Sequence, residues 1–171
     1  MGRLYLLRHE QRVEKIDCYA GLTAEGIRRA NDVLPEILQN LEIDEIYCSP
    51  FFRTLLTISP YCAITNSKVN IERAIAESIN ENCDEIVKMF TNIINQEYVS
   101  FISECEVEKL NPTLAGLVKR VSPFIDSLDD SKNILIVTHM PLINAIIKHL
   151  TSQYVEIYTI RRPGSITIIE F

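Results

Sequence analysis

Leu4-Tyr5-Leu6-Leu7-Arg8-His9-Glu10 is a short apolar run that ends in a cation, an imidazole and a carboxylate. Four to eight apolar residues bounded by polar ones fit a buried strand. In an open parallel sheet, ligands bind just beyond the carboxyl ends of the strands. Arg8 and His9 are therefore expected at the edge where a ligand is held. The remaining strand ends decide what that ligand is.

Working outward, a polar loop runs from Glu10 to Gly21, and Thr23 reads as the N-cap of a helix with Glu25 in its first turn. Ile27, Ala30, Leu34, Ile37, Leu38 and Leu41 give that helix an apolar face, which Pro35 is expected to kink or split. Ile43 to Cys48 reads as a second strand, and Ser49-Pro50 as the start of a helix with Ser49 as cap and Arg53 in the first turn. Pro60 is expected to end or kink this helix. Val69 to Ala76 reads as a third strand ending before Glu77. Ile86, Val87, Met89, Phe90, Ile93 and Ile94 then give a helix, and the polar remainder up to Asn111 a flap.

Thr113 to Leu128 is amphipathic despite Pro123, and Asn133 to Thr138 is the clearest buried strand, ending in His139. A further helix starts at Pro141. Arg162-Pro163-Gly164 reads as a turn between two last strands, Val155 to Ile160 and Ser165 to Phe171. Strands alternating with helices imply an α/β fold, a three-layer sandwich with a mostly parallel sheet flanked by helices. The closing strand pair is expected to make the sheet mixed.

The chain has 171 residues, which favours a single domain over 1–171. Its apolar fraction of 47% is ample for a core. A net charge of −6 speaks against general affinity for nucleic acid or an anionic membrane. No apolar run reaches the roughly 20 residues of a membrane span, and no signal peptide is expected. Cys18, Cys48, Cys62, Cys83 and Cys105 are scattered and odd in number, as in a reduced, cytoplasmic protein. With 3 histidines and no Cys/His cluster, neither a metal nor another cofactor is expected.

Arg8, His9, Arg53, Glu77 and His139 all fall at or just beyond strand ends. Each alone has an ordinary explanation as a solvated or turn residue. Together the two guanidinium groups and two imidazoles form an anion site, because the guanidinium fork matches phosphate oxygens and stays charged. A neutral imidazole is also a competent nucleophile towards phosphorus.

These residues lie in motifs that resemble the histidine phosphatase superfamily, with its phosphoglycerate-mutase-like fold. Leu6-Leu7-Arg8-His9-Glu10 is similar to the family's Arg-His-Gly strand end, and Gly21-Leu22-Thr23-Ala24-Glu25-Gly26 to its Leu-Thr-x-x-Gly helix start. Ser49-Pro50-Phe51-Phe52-Arg53-Thr54 resembles Ser-Pro-x-x-Arg-(Ala/Thr), and Val137-Thr138-His139 with Pro141 resembles the second histidine motif of the smaller members.

The resemblance implies a phosphatase acting on a phosphomonoester through a phosphohistidine on His9. Arg8, Arg53 and His139 would hold the phosphoryl oxygens, Glu77 would be the acid for the leaving group, and Arg12 and Met140 would add substrate contacts. Glu81 and Asp84 are rival candidates for the acid. The substrate would be a phosphorylated small molecule or a phosphoprotein. Two alternatives are a phosphoglycerate-type phosphomutase and an inactive phosphate-binding module. Glu10 departs from the family's Gly, and is expected either to point away from the anion or to pair with Arg12. His149, near a helix end, is given no catalytic role.

Overall fold

The computed structural model describes residues 2–100, 113–151 and 162–170. In chain order the elements are β1 (Arg3–Arg8), α1 (Ala24–Asp32), α2 (Leu34–Leu38), β2 (Glu45–Cys48), α3 (Phe52–Thr65), β3 (Val69–Ile71), a 3-10 turn (Arg73–Ile75), α4 (Asp84–Met89), β4 (Ile94–Val99), α5 (Leu114–Asp126), β5 (Ile134–Thr138), α6 (Met140–Thr151) and β6 (Ile166–Glu170). Among the described residues the strands form one six-stranded sheet in the order β4-β3-β2-β5-β1-β6. β1 to β5 run parallel, and β6 lies antiparallel to β1 at one edge. The sheet is therefore mixed, but through the final strand pairing with the first and not through the expected pairing of two closing strands. The expected strand Val155 to Ile160 lies outside the described residues, as does most of the expected flap.

Alternation along the strands makes the three layers. Tyr5, Leu7, Ile46, Cys48, Leu135 and Val137 face one side, packed on Leu34 and Leu38 of α2, Leu55 and Ile58 of α3 and Ile86 of α4. Leu4, Leu6, Ile134 and Ile136 face the other, against Leu117, Val121, Phe124 and Ile125 of α5 and Leu142, Ile143 and Ile146 of α6. A strand buried on both faces reads as a continuous apolar run, which is why β1 and β5 stand out in the sequence.

Several boundaries differ from the sequence reading. The first helix does split, at Val33, with Pro35 in the opening turn of α2. Thr23 caps α1 by accepting a bond from the Gly26 N–H at 3.1 Å. Ser49 does not cap α3. The helix starts at Phe52, its flanking residue is Phe51, and the Ser49 hydroxyl is committed to His139. α3 also runs through Pro60 to Thr65, and α5 through Pro123.

β3 is only three residues long, and the stretch before Glu77 is the 3-10 turn, whose Ala74 N–H donates to the buried Glu72 carboxylate. The expected helix ending near Ile94 stops at Met89, and Ile94 opens β4 instead. β4 is a terminal strand of the sheet, and its exposed Gln96 and Glu97 erase the apolar alternation that would have marked it.

Candidate active site

Strand register brings the site together. β5 lies between β1 and β2, with Arg8 opposite Thr138 and Cys48 opposite Val137. The next residues out, His9, Ser49 and His139, thus emerge side by side at one edge. The His9 N–H bonds to the Thr138 carbonyl at 3.1 Å and the Ser49 N–H to the Val137 carbonyl at 3.0 Å, so the ladder carries on past the strand ends.

His9 is 4% exposed, and its ring centroid lies 5.2 Å from that of His139. His9 Nδ1 is 2.7 Å from the Glu10 carbonyl oxygen. A carbonyl only accepts, so Nδ1 carries the proton and Nε2 keeps a free lone pair. Burial holds the His9 pKa down to about 4 against the opposing pull of the Glu10 carbonyl, with the charges of Arg53, Arg8 and Arg12 adding smaller downward pushes.

His139 is fully buried and its pKa is pushed well below the usual imidazole range, first by burial and then by Arg53, His9 and Arg120. Its Nε2 lies 2.9 Å from the Ser49 hydroxyl, and its Nδ1 is 3.8 Å from Glu77 Oε2.

Arg53 is the largest fully buried side chain of the described residues. Its guanidinium donates to the Asp17 carbonyl at 3.1 Å and to Glu77 Oε2, and stands 4.7 Å from the centre of the Phe51 ring. Burial lowers the pKa of Arg53, as it does that of half-buried Arg8, and Glu77 opposes the shift in both. Arg8, His9, Arg53, Glu77 and His139 therefore cluster at one edge of the sheet. Arg12 turns its Nη1 to the Val13 and Lys15 carbonyls at 3.0 and 2.6 Å, bracing the loop, while its charge still acts on His9. Met140 follows His139 as the half-buried first residue of α6.

The rival acids are occupied elsewhere: Glu81 accepts from the Cys18 N–H, and Asp84 pairs with Arg73. Glu10 pairs with Arg29 of α1 at 3.0 Å, not with Arg12. His149 bonds Asp126 and Ser122 at 2.6 and 2.9 Å and so ties α6 to α5.

The profile of the histidine phosphatase superfamily (branch 1) matches residues 4–171. The chain belongs to the histidine phosphatase superfamily. No curated protein matches it by sequence. Among solved structures it is similar to a phosphoserine phosphatase from Entamoeba histolytica in complex with 3-phosphoglyceric acid. That match has 20% identity and a TM-score of 0.65, over 98% of this chain and 90% of the other. The ecdysone phosphate phosphatase from Bombix mori in complex with tungstate gives 14%, 0.67, 98% and 88% in the same terms. A phosphoglycerate mutase from Bacillus anthracis gives 17%, 0.63, 98% and 87%. At such identities these likenesses establish the phosphoglycerate-mutase-like fold, which phosphatases and mutases share.

Two neighbours of this candidate site escape a reading by motif. Arg120 of α5 is 9% exposed and donates to the Ala76 carbonyl at 2.6 Å, one residue before Glu77. Burial lowers its pKa to about 10. Its sequence signal is a cation on the apolar face of α5, three residues after Leu117 and four before Phe124. The Thr138 hydroxyl donates to the Ile75 carbonyl at 2.6 Å. Together they moor the Glu77 turn to α5 and β5.

The depressed imidazole pKa values have a consequence for stability. Between the unfolded value near 6.5 and the folded value near 4, the unfolded chain binds a proton that folded His9 refuses. The stabilisation is complete above pH 6.5 and is lost as pH falls towards 4, on the order of 3 kcal/mol from His9 alone. His139 acts in the same direction. The thermal midpoint, followed by circular dichroism, is expected to fall through this window. A variant with both residues changed to Gln is expected to show a shallower fall.

Proposed function

We propose that the protein is a phosphomonoesterase of the histidine acid phosphatase type, working through a phosphohistidine on His9. The observation that carries this reading is the neutral His9 ring, held with its Nε2 lone pair free beside Arg8, Arg53 and His139. The Nε2 lone pair attacks phosphorus, and the bond from phosphorus to the leaving oxygen breaks. Arg8 and Arg53 hold the phosphoryl oxygens and offset the charge that builds on them. With Ser49 Oγ–H donating to Nε2 of neutral His139, Nδ1–H is the remaining donor for a phosphoryl oxygen.

Glu77, protonated, gives its proton to the leaving oxygen. As a carboxylate it then takes a proton from the water that attacks the phosphohistidine, which releases phosphate and restores His9. Incoming phosphate replaces Glu77 on the Arg53 fork, which frees the carboxyl for the leaving oxygen. Transfer to water, not back to a substrate hydroxyl, makes the reaction a hydrolysis. The substrate is a phosphorylated small molecule or phosphoprotein. Relatives of this fold include a phosphoserine phosphatase and an ecdysone phosphate phosphatase.

The reading is tested by leaving-group dependence. Glu77→Gln is expected to slow an alkyl phosphate about 10²-fold or more, because an alkoxide needs the proton. p-Nitrophenyl phosphate, whose leaving group departs as a stable anion, is expected to lose much less. Equal loss on both substrates would remove Glu77 from the acid role, and no release of phosphate from either by the wild type would remove the phosphatase reading.

A further inference from the structure

We propose that the Glu10 side chain, clamped between Arg29 of α1 and the backbone of Gly164, positions the His9 imidazole for attack. This inference rests on the reading of His9 as nucleophile. Glu10 stands where the family motif has glycine, yet its side chain is fully buried beside the site. A buried carboxylate is costly unless paired. Here Arg29 Nε holds one oxygen at 3.0 Å, and the other has no hydrogen-bond partner among the described residues.

Room for the added bulk comes from a different segment. A Cβ at Gly164 would lie 2.0 Å from Glu10 Oε1, and Gly164 also adopts a φ of 73°, in the left-handed region. The Gly164 N–H points at the Arg8 and His9 carbonyls, at 3.1 and 3.2 Å, so the same turn grips the end of β1.

Glu10 is thus gripped from three segments. Its N–H bonds the Thr57 hydroxyl at 3.0 Å, which in turn donates to the Arg53 carbonyl at 2.7 Å. Its side chain meets Arg29 and Gly164. Its own carbonyl is the acceptor that fixes the proton of His9 on Nδ1. Without the side-chain clamp that carbonyl is free to tilt. The ring then samples the tautomer with hydrogen on Nε2, which has no lone pair to attack with. Glu10 is therefore a positioning residue acting through His9.

Glu10→Ala is expected to lower kcat for p-nitrophenyl phosphate about 10- to 100-fold with KM nearly unchanged. The ¹⁵N shifts of the His9 ring are expected to move from one Nδ1–H tautomer towards a mixture. Glu10→Gln keeps the length and still accepts from Arg29, so it is expected to recover kcat to within about threefold. Gly164→Ala, which drives a methyl into the Glu10 carboxylate, is expected to be poorly active.

The proposal is overturned if Glu10→Ala keeps wild-type kcat and a single tautomer, or if its loss merely follows the unfolded fraction. Should Glu10→Ala not fold, Arg29→Met, which removes the cation from the clamp, takes its place, and wild-type kcat with a single tautomer in that variant overturns the proposal. His9→Ala, assayed alongside, separates the two readings. Full turnover by that variant would remove the nucleophile, whereas an inactive His9→Ala beside an unaffected Glu10→Ala would remove only the clamp.

Discussion

His9→Ala is expected to abolish turnover of p-nitrophenyl phosphate, by at least about 10³-fold in kcat, because the attacking atom itself is removed. The residue is 4% exposed, so a small cavity is also left, but the strand that leads into it is held on both sides by β5 and β6. The variant should therefore fold, which circular dichroism will show, and should still bind vanadate through Arg8 and Arg53. Lost turnover with retained anion binding is the pattern of a missing nucleophile. Loss of both together would point to a collapsed pocket.

The acid side of the wild-type profile carries the same logic. With the His9 pKa held near 4, the free enzyme keeps its nucleophile neutral through mildly acidic conditions. The acid limb of kcat/KM assigned to His9 is expected near pH 4 and not near 6.5.

Arg53→Ala is expected to reduce kcat/KM by about 10³-fold, or about 4 kcal/mol, through lost stabilisation of the phosphoryl oxygens. Arg53 serves three partners at once: the Asp17 carbonyl, the Glu77 carboxylate and the face of Phe51. Its removal leaves the Glu77 carboxylate without that cation, so both binding and proton transfer suffer. Arg53→Lys is expected to recover little of the loss. An ammonium keeps the charge but not the planar fork that spans two acceptors. Product inhibition by inorganic phosphate should weaken in parallel in both variants. A lysine variant with wild-type kcat/KM would show that charge alone suffices at this position.

How much of this was legible before the structure follows from where each signal lies. β1, β2 and β5 sit inside the sheet, so their residues are apolar on both faces and the runs announce themselves. Because these strands are parallel, Arg8, His9 and His139 had to meet at one edge. β4 could not be read, since a terminal strand carrying Gln96 and Glu97 has no apolar alternation to show.

Pro60 was expected to end or kink its helix, which does not end there, whereas the helix through Pro123 was read as continuing and does. Tertiary packing held them against the local penalty. Contacts across long sequence separations were the least visible. Ser49 was read as a cap, yet its hydroxyl serves His139, 90 residues away. Glu10 was expected to avoid the anion or pair with Arg12, and nothing local told of Arg29 or of the glycine at 164. Arg120 did leave a trace, as a charge on an apolar helix face.

The most direct measurement is to trap the intermediate. The enzyme is mixed rapidly with a radiolabelled phosphomonoester, quenched in alkaline denaturant and digested, and the labelled peptide is sequenced by mass spectrometry. The predicted result is one phosphoryl group on the peptide carrying His9, stable to alkali, lost in acid and absent from His9→Ala. Label on a serine or cysteine, or full turnover with no labelled enzyme at any time point, would contradict a phosphohistidine on His9.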